Sequence, residues 1–292
     1  MTTVITPVAK HTGTTIVRAV AGEKAGMDTG PAPLANTLQI LADRAQYARG
    51  STWGNMVGGD VFAVDAGGTS TVFVARVSAF EAMVAQDTNG VFWPRFTTAD
   101  TTFALADVDG APANLSNSTW YYCYLGVNTD GTLRKQISTA APIASRIWKT
   151  GGVDQWRYVG CFRTNASGAP LPSRRARGRT VYQFSAIADT GIQRVLNSGS
   201  ATGAITVSCA AVVPPHARLA TARVRVQRAG AAGILSLATA GDTTNYQYFH
   251  VGTAGGIDES HAELLLDASQ QFDYFVGNAS DVAYVWITGF DE

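Results

Sequence analysis

From about residue 53 onward, apolar side chains recur at every second position, in short runs broken by turn-forming residues. Successive side chains of an extended strand point to opposite faces, so this period confines the chain to β-structure with one face of each strand buried. The runs fall at residues 61–64, 71–77, 91–93, 103–105, 119–127 and 157–163. Between them stand turn signals such as Asp65-Ala66-Gly67-Gly68, Asn89-Gly90, Asp109-Gly110 and Asp130-Gly131. Pro94 has no N–H to donate and demotes the strand it follows to an edge or a break. A second series occupies 181–184, 204–213, 220–227, 234–238, 246–251, 262–267, 272–276 and 282–290. Ala222-Arg223-Val224-Arg225-Val226-Gln227 alternates cleanly, as a half-buried antiparallel strand does. Pro214-Pro215 marks a corner where the chain changes sheet.

Over residues 34–49 the period is helical. Leu34, Leu38, Leu41, Ala45 and Ala48 follow a 4-3-4-3 spacing, which keeps one narrow stripe facing a partner helix. Asn36 suits the N-cap and Gly50 the left-handed position after the last turn. The expected fold is therefore mainly β, with four parts. Residues 1–33 form an N-terminal attachment arm, and 34–50 an oligomerisation helix of coiled-coil type. Residues 51–180 form a first β domain, and 181–292 an antiparallel β-sandwich or jelly-roll-like domain.

Composition narrows the function. Only 15% of residues are charged and the formal net charge is zero, which argues against a nucleic-acid partner. The first residues lack an apolar leader core, and no run of about 18 apolar residues occurs, so neither a secretory leader nor membrane insertion is expected. Cys123, Cys161 and Cys209 lie far apart in apolar runs and read as buried free thiols. His11, His216, His250 and His261 show no metal-ligand spacing, so neither a metal nor a cofactor is expected. No nucleophile elbow or phosphate loop is present, and no catalytic residue is assigned. Asp258, Glu259, Glu263, Asp267 and Asp273 are of the type that glycoside hydrolysis needs, but spacing alone does not show that any two face a common groove.

Sugar binding rests on aromatic rings that stack on a pyranose face and polar groups that meet its hydroxyls. Trp93, Trp148, Trp156, Tyr246 and Tyr248 lie in or near loops and are the candidate rings. Arg174, Arg175 and Arg177 belong to the run Ser173-Arg174-Arg175-Ala176-Arg177-Gly178-Arg179, read as a surface loop able to meet an anionic group.

The helix also carries a resemblance. Leu41-Ala42-Asp43-Arg44 with Tyr47, preceded by Pro31-Ala32-Pro33, resembles a segment near the N-termini of tailed-bacteriophage fibre and other virion appendage proteins. The order Trp120-Tyr121-Tyr122-Cys123-Tyr124-Leu125, Ser138-Thr139-Ala140-Ala141-Pro142, Arg157-Tyr158-Val159-Gly160, Asn165-Ala166-Ser167-Gly168 is similar to a β module of phage structural proteins. Tyr284-Val285-Trp286-Ile287-Thr288-Gly289-Phe290 resembles the last strand of fibre-tip sandwiches. The resemblance implies a non-enzymatic virion component, made in the host cytoplasm. It implies a homotrimer docked through residues 1–50 to capsid, collar or tail proteins, with β domains pointing outward. The chain lacks a repeated shaft, which favours a compact spike, head fibre, collar or decoration protein over a long fibre. The alternatives are a module that binds a host-surface glycan and, below it, a polysaccharide depolymerase.

Overall fold

A computed structural model describes residues 56–89, 92–142, 155–176, 178–183, 193–228, 233–251 and 256–292. The arm at 1–33 and the helix at 34–50, with Leu34, Leu38, Leu41, Ala45 and Ala48, lie outside the described residues, as do Trp148 and Arg177. Regular structure among the described residues is antiparallel β, with one 3-10 turn at Leu105–Asp107. It divides into two units, one up to Thr164 with Gly168–Pro170, the other Asn165–Ser167 with Leu171–Glu292. No helix among the described residues is long and apolar enough to cross a membrane.

The first unit contains β1 (Met56–Gly58), β2 (Val61–Val64), β3 (Ala75–Val77), β4 (Phe80–Gln86), β5 (Phe92–Arg95), β6 (Thr101–Phe103), β7 (Trp120–Val127), β8 (Leu133–Ser138) and β9 (Trp156–Arg163). These pair in the orders β1-β4-β5, β2-β3-β6 and β8-β7-β9. Tyr121, Cys123, Leu125 and Val127, alternate residues of β7, share one core with Phe62, Val77, Phe80, Met83 and Phe103. Gly160 on β9 makes room for that core, because a Cβ there would sit 2.4 Å from Cγ of Phe62. The expected strand over 71–77 pairs only from Ala75. Its first residues turn instead: the Thr69 hydroxyl accepts the Val72 N–H at 3.0 Å, and the Thr69 N–H reaches the Val72 carbonyl at 2.7 Å. A local side-chain bond has displaced ladder pairing.

The second unit contains β10 (Ser173–Ala176), β11 (Arg179–Tyr182), β12 (Arg194–Gly199), β13 (Ile205–Ser208), β14 (Leu219–Gln227), β15 (Gly233–Thr239), β16 (Gln247–Val251), β17 (Ile257–Leu265), β18 (Gln271–Val276) and β19 (Val282–Asp291). One sheet runs β17-β14-β19-β11-β10, with β12 also pairing β19; the other runs β13-β18-β15-β16. Their apolar faces meet as a sandwich, with Val224, Val226, Val285 and Ile287 buried from the first sheet and Leu235, Leu237, Phe272 and Val276 from the second. Pro214-Pro215 does stand between β13 of one sheet and β14 of the other. Gly289 allows β19 to close on β11, since a Cβ there would fall 2.2 Å from the Thr180 carbonyl oxygen.

One expectation is corrected here. The run 173–179 is a hairpin and not a loop: Ser173 pairs Tyr182 and Ala176 pairs Arg179. The two units divide near Thr164 to Leu171, and within the second β11 pairs with β19.

Candidate functional site

Trp93 and Trp156, two of the rings singled out in the sequence, come to one end of the first unit around the β7–β8 hairpin. A Cβ on Gly131 would meet the Trp93 ring, and one on Gly126 the Trp156 ring. The Trp93 indole N–H donates to Asp87 Oδ2 at 2.9 Å, while Asp87 Oδ1 accepts the Asn89 N–H at 2.8 Å. Asp87 is 1% exposed, so both oxygens work in a low-dielectric setting. Arg95 lies over the Trp93 ring at 5.3 Å and donates to the Gly131 carbonyl. Arg134 lies over Trp156 at 4.0 Å. Burial lowers the pKa of both guanidinium groups, opposed at Arg134 by Asp87 and at Arg95 by Asp130. The protein's own cations already cover these rings, so the cluster acts as a clamp between β4–β5 and β7–β8.

The arginine run does not form one basic surface. Arg174 is exposed, whereas Arg175 is 3% exposed and sits 2.9 Å from Glu292 Oε2. The other Glu292 oxygen is 3.5 Å from His216 Nε2. Arg179 donates to the Thr221 hydroxyl at 2.7 Å and lies 3.4 Å from Glu263. Strand alternation sends neighbouring arginines to opposite faces, and this removes Arg175 from the ligand-binding candidates. Two of the carboxylates also have structural tasks. Asp273 accepts the Thr206 hydroxyl at 2.6 Å and the Gly241 N–H at 2.8 Å, and Asp267 accepts the N–H groups of Ser269 and Gln271. Burial raises the Cys123 thiol well above its usual pKa and pushes Cys209 up to about 12, so both stay protonated at neutral pH.

An aromatic–arginine ladder that sequence reading missed lies on the outer face of the first sheet. Tyr284 and Trp286 stack at 5.8 Å, with Arg223 4.4 Å over Trp286 and Arg225 5.6 Å over Tyr284. Its signal was the alternation itself: the residues flanking the core valines of β14 and β19 share one face. Trp286 is only 6% exposed, so this ladder presents no open ring either.

Tyr246 and Tyr248 are different. They meet at 6.3 Å, and Tyr246 lies edge-on to Phe275 at 5.0 Å. Tyr248 remains 57% exposed. Ser236 stands in register with both Tyr248 and Phe275, is fully buried, and its hydroxyl finds no hydrogen-bond partner among the described residues. Beside this patch a cleft of about 190 Å³ opens between β16 and β17, lined by Val224, Val226, Tyr248, Phe249, His250, Asp258 and Ser260. The edge of β16, with rings on one side and a cleft on the other, is the candidate binding site.

No family model and no curated protein matches the chain. Among solved structures, the N-terminal CBM22-1–CBM22-2 tandem domain of Xyn10C from Paenibacillus barcinonensis is similar at 12% identity. The match covers 81% of this chain and 80% of that one, at a TM-score of 0.19. A likeness of that size carries no argument about fold or ligand.

Proposed function

We propose that this chain is a non-enzymatic structural component of a tailed-phage virion, a homotrimeric spike, head fibre, collar or decoration protein. In this reading residues 1–50 dock to the particle and assemble the trimer, and the β units are displayed outward. The observation that carries it is the order along the chain: a heptad stripe with the Leu41-Ala42-Asp43-Arg44 core, followed by two antiparallel β units. Three copies on one axis present each displayed surface three times, which raises avidity for a repetitive partner. The test is the mass in solution of the intact chain, of 30.7 kDa per copy, beside a version beginning at Ser51. A trimer that weakens on truncation supports the reading, and a monomeric intact chain at micromolar concentration overturns it.

A second reading is favoured by the exposed Tyr248 beside Tyr246 and Phe275: the second unit recognises a glycan on the host surface. A ring exposed over more than half its area can stack on the C–H face of a sugar, which the covered tryptophans of the first unit cannot do. Retention on a glycan array or on host polysaccharide, lost in Tyr248→Ala, supports this reading. Wild-type protein that retains no glycan and no host cells removes it.

A further inference from the structure

We infer that the cleft between β16 and β17 is a subsite for one uncharged pyranose residue, an inference that rests on the glycan reading above. Inner-face positions of β17 are set by Ala262 and Leu264, both buried. By strand alternation Asp258 and Ser260 belong to the same face, where a closed sandwich calls for apolar side chains. Both are exposed, and neither side chain makes a hydrogen bond or ion pair among the described residues. Below them lie Val224 and Val226, at 1% and 2% exposure, and across from them runs the edge strand with Phe249. An apolar floor with a carboxylate and a hydroxyl on one wall matches a sugar ring, which has a C–H face and a rim of hydroxyl donors.

Inward-pointing charge on an edge strand also deters pairing with another chain, and that accounts for Asp258. It does not account for Ser260 or for an open cleft floored by two core valines. Size and charge then select the ligand. About 190 Å³ is below the roughly 300–1,000 Å³ of pockets that enclose larger ligands, so a single ring enters and the rest of the glycan leaves past Tyr248. The lining carries one carboxylate and no lysine or arginine, so adjacent neutral hydroxyls can donate to Asp258, whereas a uronate or phosphate would face its charge.

The test uses the full-length protein and a panel of methyl glycosides of glucose, galactose, mannose and N-acetylglucosamine, with methyl glucuronide as the charged member. Binding is read by titration calorimetry and by shifts of the Val224 and Val226 methyl signals. At least one neutral glycoside is expected to bind and to move those signals. Asp258→Asn should weaken it at least about tenfold, and Ser260→Ala by a smaller factor. Both positions are exposed, and unchanged thermal unfolding serves as the control for folding. Array binding that depends on Tyr248 but is indifferent to Asp258→Asn overturns the subsite and leaves the glycan reading standing. Tighter binding of the glucuronide than of any neutral glycoside overturns the assignment to uncharged sugars. Absence of any glycan or cell binding by the wild type removes both.

Discussion

The Trp93 corner of the first unit and the Tyr248 edge of the second are both aromatic and both beside a hairpin, yet they are built for different ends. At Trp93 every interaction turns inward: the indole N–H is bound by a buried carboxylate, and a guanidinium covers the ring. At Tyr248 the ring is open, and the neighbouring Asp258 and Ser260 make no side-chain bonds among the described residues. Aromatic count in a loop therefore says little about binding. What separates the two is whether the protein's own cations already occupy the ring faces.

The comparison breaks most sharply at Asp87. Replacing it with alanine leaves Trp93 and Arg134 without their buried anion, and a loss of about 3–5 kcal/mol is expected in urea unfolding followed by tryptophan fluorescence. A loss under about 1 kcal/mol would mean that the corner is no clamp and that its rings are available to a ligand. Arg175→Ala strips the partner from a buried glutamate and should cost somewhat less, about 3 kcal/mol, while Arg174→Ala on the exposed face of the same strand should stay within about 0.5 kcal/mol. Equal effects would restore the surface-loop reading of the run.

Cys209 gives a pH-dependent contrast. Its folded pKa, raised by burial to about 12 from the usual 9.0, means that the unfolded chain loses the thiol proton first. Its contribution to stability is complete below about pH 9 and is lost as pH rises toward 12, amounting to about 2 kcal/mol by about pH 10.5. Cys209→Ala should flatten that part of the alkaline stability profile. The smallest expected effect on stability is Tyr248→Ala, within about 0.5 kcal/mol, although it should abolish glycan retention. A large loss of stability there would place Tyr248 with Trp93 as a structural ring.

Much of the fold was legible because its central strands obey the period of two. β14 and β19 fall where alternation puts them, β7 falls where a continuous apolar run marks a strand buried on both faces, and the Asp130-Gly131 signal does mark a hairpin. Three of the strands that escaped notice break the pattern for local reasons. On β8, Arg134, Lys135 and Gln136 look like a solvated turn, yet their aliphatic stems are half-buried. On β10, the burial of Arg175 depends on Glu292, a residue far along the chain that no local pattern announces. β12 carries two register irregularities and a positive φ at Ser198, so it has no steady period to detect. Tyr246 and Tyr248 were legible as residue types. Their cleft was not, because its floor and walls come from three strands of two different sheets, which only the packing of those sheets brings together.

The open edge formed by β16 and β17 has a further consequence for how such a protein changes over generations. Tyr248, His250, Asp258 and Ser260 are all exposed, while Val224 and Val226 beneath them belong to the core. Exchanging any of the four upper residues costs the fold about 0.5 kcal/mol or less, whereas exchanging the valines costs packing. The surface can thus be rewritten one position at a time without first gaining stability elsewhere. A lineage pressed by shifting targets would accumulate its variation along these two edge strands and leave the sandwich beneath them unaltered.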